Sequence, residues 1–240
     1  FKRFSGGLLA IGVALSVNVW IPSVALADEI DVSYLQTCLK EEGSSLDVLV
    51  LMDGSASLRD TRPDENRPPA KGSDPEKKRG KILKSSLKLL QTLANESQRP
   101  LNLNLRTFGN NSNPKEYKNL QEHSQDWRDA SKGDFNGFIE KALYDDSMMT
   151  EWASALADAK NQFKKRIGEA ALNERKSCPI MFWITDGAPT DSTDPICASG
   201  TNSSIDWFRQ NNVLVLGGLL KPKDQEDLRN ASQFRPIVTG

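Results

Sequence analysis

Histidine is almost absent from this sequence, because His123 is the single histidine among 240 residues. It lies in the polar stretch NLQEHSQDW, which is typical of an exposed loop. One histidine excludes a zinc site of the H-E-x-x-H type. A Ser-His-Asp triad would need a serine nucleophile beside His123, and the sequence has no G-x-S-x-G motif to supply one. A G-x-x-x-x-G-K-[ST] phosphate-binding loop is also missing. We therefore expect a protein that is not an enzyme.

An excess of basic charge is missing as well. The 31 Lys and Arg residues are balanced by 32 Asp and Glu residues, which gives a formal net charge of −1. Nucleic-acid binding relies on a net basic surface, so we expect no nucleic-acid partner. The basic run Lys77, Lys78, Arg79 and Lys81 is interpreted as the solvated start of a helix.

Residues 1–27 have the pattern of a secretory signal peptide. Two basic residues precede an apolar run at Leu8–Val17, and the small-residue pattern Ala-Leu-Ala follows at 25–27. The alternative is an uncleaved membrane anchor, but Asn18 and Pro22 interrupt the apolar span. We therefore expect cleavage after residue 27, a secreted or cell-surface location, and no membrane insertion of the mature domain.

Cysteine is scarce and odd in number, with Cys38, Cys178 and Cys197 only. In an exported protein cysteines are expected to form pairs. We therefore expect one disulfide and one cysteine left over.

Strand and helix patterns alternate along the chain. Continuous apolar runs at Leu46–Met52, Ile180–Ile184 and Val213–Leu216 predict buried strands, and the alternating segment Leu101–Phe108 predicts a half-exposed strand nearer the sheet edge. Helices are predicted at 73–95, 135–143, 152–163, 204–208 and 222–229, and a last strand begins near Ile237. This order predicts an α/β fold with an open, mostly parallel, doubly wound sheet and helices on both faces.

Oxygen-bearing side chains follow two of these strands. Asp53, Ser55 and Ser57 alternate after the first strand, so in an extended segment their oxygens point the same way. Asp186 follows a second strand, and Thr150 lies at a predicted helix N-terminus; sites in open α/β sheets form at the carboxyl ends of strands. Each piece alone is typical of a turn or a helix cap. Together they are hard oxygen ligands of the kind that suits Mg²⁺ or Mn²⁺.

Three segments of the chain, taken in order, resemble the metal-ion-dependent adhesion site of von Willebrand factor A (VWA) domains. They are DVLVLMDGSAS, TEWASAL and MFWITDG. The resemblance covers residues 46–240, leaves 28–45 as a lead segment, and implies a VWA domain of the bacterial exported type. It implies that the cation is bound directly by Ser55, Ser57 and Thr150, and mainly through water by Asp53 and Asp186. Mg²⁺ or Mn²⁺ is the expected cofactor, with Ca²⁺ as a further candidate.

This ligand set has a consequence for function. Neutral hydroxyls leave the cation most of its positive charge and one open position, so an Asp or Glu carboxylate from a protein partner is a strong additional ligand. We expect a metal-dependent, adhesion-type binding module. Two alternatives stay open: a Mg²⁺-dependent phosphoesterase, for which no nucleophile is visible, and a scaffold whose cation site does not function.

The sequence departs from the family in two places. Glycines usually precede the threonine, whereas Ser147, Met148 and Met149 stand here, which makes Ser147 the substitute ligand for Thr150. Asp145 and Asp146 add charge to the site or are merely solvated.

The second departure is the loop Leu58–Gly72, which is longer than most connections in compact domains. It ends at Ser73-Asp74-Pro75-Glu76, a capping-box pattern that predicts a helix start. Either the loop shapes the binding face or it is a tolerated surface insertion.

The resemblance also implies a disulfide. In its sheet order the strands starting at Leu46 and Pro179 are adjacent and parallel, so Cys38 and Cys178 both fall at the end opposite the cation and are expected to pair. Cys197 is then left over. Because the chain stops almost on a predicted strand, we expect the domain to continue beyond Gly240, with a partner for Cys197 there.

Overall fold

The structure is a computed structural model, and it describes residues 33–55, 58, 72–74, 76–108, 120–122, 127–132, 135–143, 152–186 and 204–220. The chain divides into two units, residues 1–30 and 31–240, and all described residues belong to the second. The expectations for the signal peptide, His123, Cys197, the helix at 222–229 and the strand near Ile237 lie outside the described residues. Within them, no helix has the length and apolar character needed to cross a membrane.

The helices and strands follow the apolar patterns of the sequence. In chain order they are α1 (Ser33–Lys40), β1 (Ser44–Asp53), α2 (Lys78–Glu96), β2 (Leu101–Phe108), β3 (Leu120–Glu122), β4 (Arg128–Asp129), α3 (Asn136–Leu143), α4 (Trp152–Leu172), β5 (Lys176–Thr185), α5 (Ser204–Gln210) and β6 (Leu214–Leu219).

One mixed sheet contains all of these strands. The strand order is β3-β2-β1-β5-β6, and β4 also pairs with β2. Along the sheet, the adjacent pairs β2-β1, β1-β5 and β5-β6 are parallel, whereas β3 and β4 are antiparallel to β2. The class is therefore α/β, but the prediction of a mostly parallel, doubly wound sheet is wrong. The antiparallel strands were missed because three and two residues are too few to show a period.

Two apolar cores lie on the two faces of β1. Val48 and Val50 point into a core formed with α1, α2 and α3, which we call the α2-side core. Leu49 and Leu51 point into a core formed with α4 and α5, the α4-side core. Every residue of β1 is buried, which explains its apolar run Val48–Met52.

The strand β2 differs from its prediction. It lies one place nearer the sheet edge than β1, as expected, but Asn104 and Arg106 are buried instead of exposed, and Asn102 is half-buried. Arg106 is 3% exposed and donates hydrogen bonds to Asn104 Oδ1 (3.1 Å) and to Asp158 Oδ2 on α4 (2.9 Å). The alternation thus reflects a buried polar layer beneath α4, because buried charges are tolerated when they are paired.

A buried carboxylate in β1 organises the same layer. Asp47 is fully buried and accepts hydrogen bonds from Asn102 Nδ2 (2.7 Å), Arg166 Nη2 (3.0 Å) and the hydroxyls of Ser177 (2.5 Å) and Ser45. These donors come from β1, β2, α4 and β5. The network therefore ties three strands to one helix.

The segment before β1 is part of the fold. Leu35 and Leu39 of α1 pack into the α2-side core, and Cys38 forms a disulfide with Cys178 at a Cα–Cα distance of 5.9 Å. This is the pair that the resemblance implied. The disulfide lies near the amino ends of β1 and β5, away from the site described next.

Candidate cation site

The candidate site lies where β1 and β5 end. The register pairs Met52 with Ile184, which brings Asp53 alongside Thr185 and Asp186. Asp53 is fully buried, and Ser55 and Asp186 are each 3% exposed. Three of the five predicted ligands are thus brought together, while Ser57 and Thr150 lie outside the described residues, as do Ser147, Asp145 and Asp146.

Both oxygens of Asp53 are held by hydrogen bonds. Oδ1 accepts from the backbone N–H of Ser55 at 2.8 Å, and Oδ2 accepts from the hydroxyl of Thr185 at 2.7 Å. The first bond is the side-chain-to-backbone turn that Asp-x-Ser segments commonly form, so by itself it does not indicate a ligand set. The second joins the carboxylate to the neighbouring strand and fixes its orientation.

Burial raises the pKa of Asp53 to about 6, and the negative charge of the nearby Asp186 raises it as well. The hydrogen bonds from Thr185 and Ser55 act in the opposite direction and favour the charged form. The described site thus places a second buried carboxylate, that of Asp186, where it disfavours the charged form of Asp53.

The two oxygens of Asp186 have different environments. Oδ2 accepts a hydrogen bond from the hydroxyl of Ser73 at 3.0 Å. Oδ1 is buried and has no hydrogen-bond partner among the described residues. Buried polar atoms without partners are uncommon, and each needs a physical explanation. A cation, or water bound to one, would satisfy this oxygen.

The residues before α2 differ from the capping-box prediction. The helix begins at Lys78, and its capping side chain is Asp74, whose carboxylate accepts from the backbone N–H groups of Lys78 (2.6 Å) and Arg79 (3.2 Å). Ser73, the predicted cap, contacts Asp186 instead. Sequence reasoning missed Ser73 as a site residue, because the only signal was its position at the end of a long loop.

The interpretation of the basic run 77–81 as solvated is wrong for Arg79. This residue is 5% exposed, pairs with Asp74 at 2.8 Å, and donates to the carbonyl of Leu143 at 3.4 Å. Lys78 and Lys81 of the same run are exposed. The ion pair therefore anchors the residues around Ser73 to α2 and to the end of α3.

The long connection after β1 starts and ends beside the site. The N–H of Leu58 contacts the carbonyl of Ser55 at 3.3 Å, and the N–H of Asp74 donates to the carbonyl of Leu58 at 2.8 Å. Residues 59–71 lie outside the described residues.

The start of α4 also docks near the site. Trp152, the first residue of α4, contacts Trp183 of β5 edge-on with ring centroids 4.9 Å apart. Both rings are fully buried in the α4-side core. This contact holds the helix start beside the carboxyl end of β5.

The donor chemistry of the described site is all oxygen. In the part of the chain that the structure describes, no group of three or more His, Cys, Asp or Glu side chains is placed to hold a metal ion. Two carboxylates and the hydroxyls of Ser55 and Ser73 are present instead. Such a set suits a hard cation and disfavours zinc, which prefers nitrogen and sulfur.

Comparisons with known proteins show a shared fold. No family model and no curated protein sequence matches the chain. Two crystal structures of the pilus adhesin SpaC from Lactobacillus rhamnosus GG, one of them in an open conformation, superpose on 82% of this chain with TM-scores of 0.52 and 0.55. The sequence identity is 12% in both, and the chain spans 27% of the SpaC chain. The described domain is thus similar in fold to about a quarter of a pilus adhesin.

Proposed function

We propose that this chain is a protein-binding module of an exported, adhesion-type protein, secreted or held at the cell surface. The fold shared with part of the SpaC adhesin supports an adhesion-type role. We propose further that binding requires a divalent cation at the carboxyl ends of β1 and β5. The observation that carries this second step is the buried Oδ1 of Asp186, which has no hydrogen-bond partner among the described residues and lies next to the buried Asp53.

Electrostatics supports a cation in this place. Two buried carboxylates raise the free energy of the folded state unless positive charge compensates them. The described residues that would hold the cation are Asp53, Ser55 and Asp186. The motif resemblance adds Ser57 and Thr150, as in the metal-ion-dependent adhesion site of VWA domains. Mg²⁺ or Mn²⁺ fits these oxygens best, and Ca²⁺ is a further candidate.

The ligand chemistry also indicates the kind of partner. Hydroxyl ligands do not neutralise a divalent cation, so it keeps a strong attraction for one more anionic oxygen. An Asp or Glu side chain on a protein partner supplies that oxygen. The module therefore acts by holding a partner and not by catalysis.

Cation binding is tested by calorimetric titration of Mg²⁺ and Mn²⁺ into the wild-type protein. We expect binding that Asp53→Ala and Asp186→Asn abolish, and a higher melting temperature at saturating cation; at one hundred times Kd the stabilisation is about 2.7 kcal/mol. Asp129→Asn is the matched control, since Asp129 is exposed on β4 at the far end of the sheet. Absence of both heat and thermal shift with either cation would contradict the proposal.

Partner binding is tested with a displayed library of random peptides. Peptides selected in Mg²⁺ should lose binding when EDTA is added, or when one Asp or Glu of the peptide becomes Asn or Gln. Binding that survives EDTA would support a scaffold without a functional cation site. Hydrolysis of p-nitrophenyl phosphate that depends on Asp53 would support a phosphoesterase.

A further inference from the structure

Ser73 belongs to none of the motifs that define the candidate site, yet its hydroxyl reaches the second carboxylate. It lies before α2, is half-buried, and donates to Oδ2 of Asp186 across 113 positions of sequence. The hydrogen bond therefore joins the region after β1 to the end of β5.

This bond makes the two oxygens of Asp186 unequal. An isolated carboxylate can rotate about its terminal torsion, which is broad and roughly two-fold. The Ser73 hydroxyl, which donates to Oδ2, selects one orientation of the carboxylate. Oδ1, which is buried and has no partner among the described residues, is then available to a cation or to a water bound to one.

The backbone around Ser73 is itself held in place. The next residue, Asp74, donates its N–H to Leu58, caps α2 with its carboxylate, and pairs with the buried Arg79. The side chain of Asp74 is 1% exposed in this pair, and that of Arg79 is 6% exposed. The Ser73 hydroxyl is thus presented from a segment that hydrogen bonds and an ion pair anchor to the start of α2.

We infer that Ser73 is a positioning residue of the cation site, whose hydroxyl orients Asp186 so that Oδ1 faces the cation or a water bound to it. The inference rests on the proposed function, because it concerns the same cation. Groups that orient metal ligands through hydrogen bonds typically change metal affinity 10–100-fold when they are removed. Ser73→Ala should therefore weaken Mg²⁺ binding by about tenfold.

The test compares Ser73→Ala with Ser73→Thr, which keeps the hydroxyl, by titration with Mg²⁺. We expect a roughly tenfold higher Kd for the alanine variant and a Kd within about threefold of wild type for the threonine variant. Ser85→Ala, on the exposed side of α2, should leave the Kd unchanged. Because Ser73→Ala takes a donor from the buried Asp186, its melting temperature in EDTA should fall below those of the other three proteins. The Kd values are therefore measured well below all four melting temperatures, where every protein is folded, which separates positioning from a general loss of stability.

A second readout follows the carboxylate itself. The infrared difference spectrum on adding Mg²⁺ should contain carboxylate bands that Asp186→Asn removes and Ser73→Ala shifts. Mg²⁺ binding that Asp186→Asn abolishes but Ser73→Ala leaves at wild-type affinity would overturn this inference alone. A folded wild-type protein that binds no cation would overturn the proposed function and this inference together.

Discussion

The hydroxyl of Thr185, the last residue of β5, donates a 2.7 Å hydrogen bond to Oδ2 of Asp53, the last residue of β1. Both residues are fully buried and lie 132 positions apart in sequence. The bond stabilises the ionised form of Asp53 against the effect of burial. Two adjacent parallel strands thereby offset part of the cost of burying the ionised carboxylate, which is the form that binds a cation.

Thr185→Val removes this donor while keeping nearly the same shape. The buried Oδ2 then has one donor fewer, which typically costs about 1–3 kcal/mol of folding free energy. We also expect Mg²⁺ affinity to fall about tenfold, as for other groups that orient metal ligands. Urea denaturation and calorimetry measure the two effects. Thr185→Ser keeps the hydroxyl and is the control; a valine variant that binds Mg²⁺ like wild type would show that the bond is dispensable.

The raised pKa of Asp53 predicts a pH-dependent stability of the metal-free protein. Between about pH 4 and pH 6 the folded state retains a proton on Asp53 that the unfolded chain has lost. The contribution of Asp53 to the free energy of unfolding therefore falls as the pH rises through this window. The fall amounts to about 2–3 kcal/mol, since one pKa unit corresponds to about 1.4 kcal/mol.

Asp53→Asn isolates that contribution from the titration of other acids. Urea denaturation of both proteins in metal-free buffer should show wild type losing stability relative to the variant from pH 4 to pH 6, and no further change at higher pH. A difference between the two proteins that stays constant with pH would contradict the prediction.

Arg79→Met leaves the buried Asp74 carboxylate without its ion-pair partner. Removing one partner of a buried pair typically destabilises a protein by about 3–5 kcal/mol, and we expect a loss near the lower end because Asp74 keeps its two backbone donors. Lys78→Met is the control, because the Lys78 side chain is 65% exposed in its pair with Glu76. Chemical denaturation should show little change for it. Equal losses in the two variants would argue against a structural role of the buried pair.

The disulfide should stabilise the domain without affecting the cation site. It joins residues 140 positions apart, and removal of a disulfide that closes a long loop costs about 2–5 kcal/mol. The double variant Cys38→Ser with Cys178→Ser should therefore melt at a lower temperature. Its Mg²⁺ affinity, measured well below the melting temperature, should stay at the wild-type value because the pair lies at the opposite end of β1 and β5. A tenfold change in Kd would show that the two ends are coupled.

The sequence predicts those parts of the fold whose pattern is long and continuous. The run Leu46–Met52 is buried on both faces, as predicted, and Leu83, Leu87, Leu90 and Ala94 form the buried side of α2. Asp53 and Asp186 meet because the ends of adjacent parallel strands meet. The strand order that makes them adjacent came from the motif resemblance, since apolar periodicity does not reveal which strands are neighbours.

Other features depend on contacts that a linear pattern does not contain. Asn104 and Arg106 alternate with apolar residues like the outward side of an exposed strand, and only Asp158 on α4 shows that they are buried and paired. Ser73 is in the same situation, because a serine before a helix is ordinarily a cap. Its hydrogen bond to Asp186, 113 positions away, leaves no pattern in the sequence around Ser73.

The N–H of Asp74 donates a hydrogen bond to the carbonyl of Leu58. This bond brings the two ends of the intervening segment together beside the candidate cation site. A segment whose ends meet can be exchanged for one of another length at little cost, because doubling a flexible loop costs only about 0.6 kcal/mol in closure entropy. We therefore expect residues 59–71 to accept a grafted fluorescent reporter or an epitope, close in sequence to the proposed cation site, with Ser73 and Asp74 left in place.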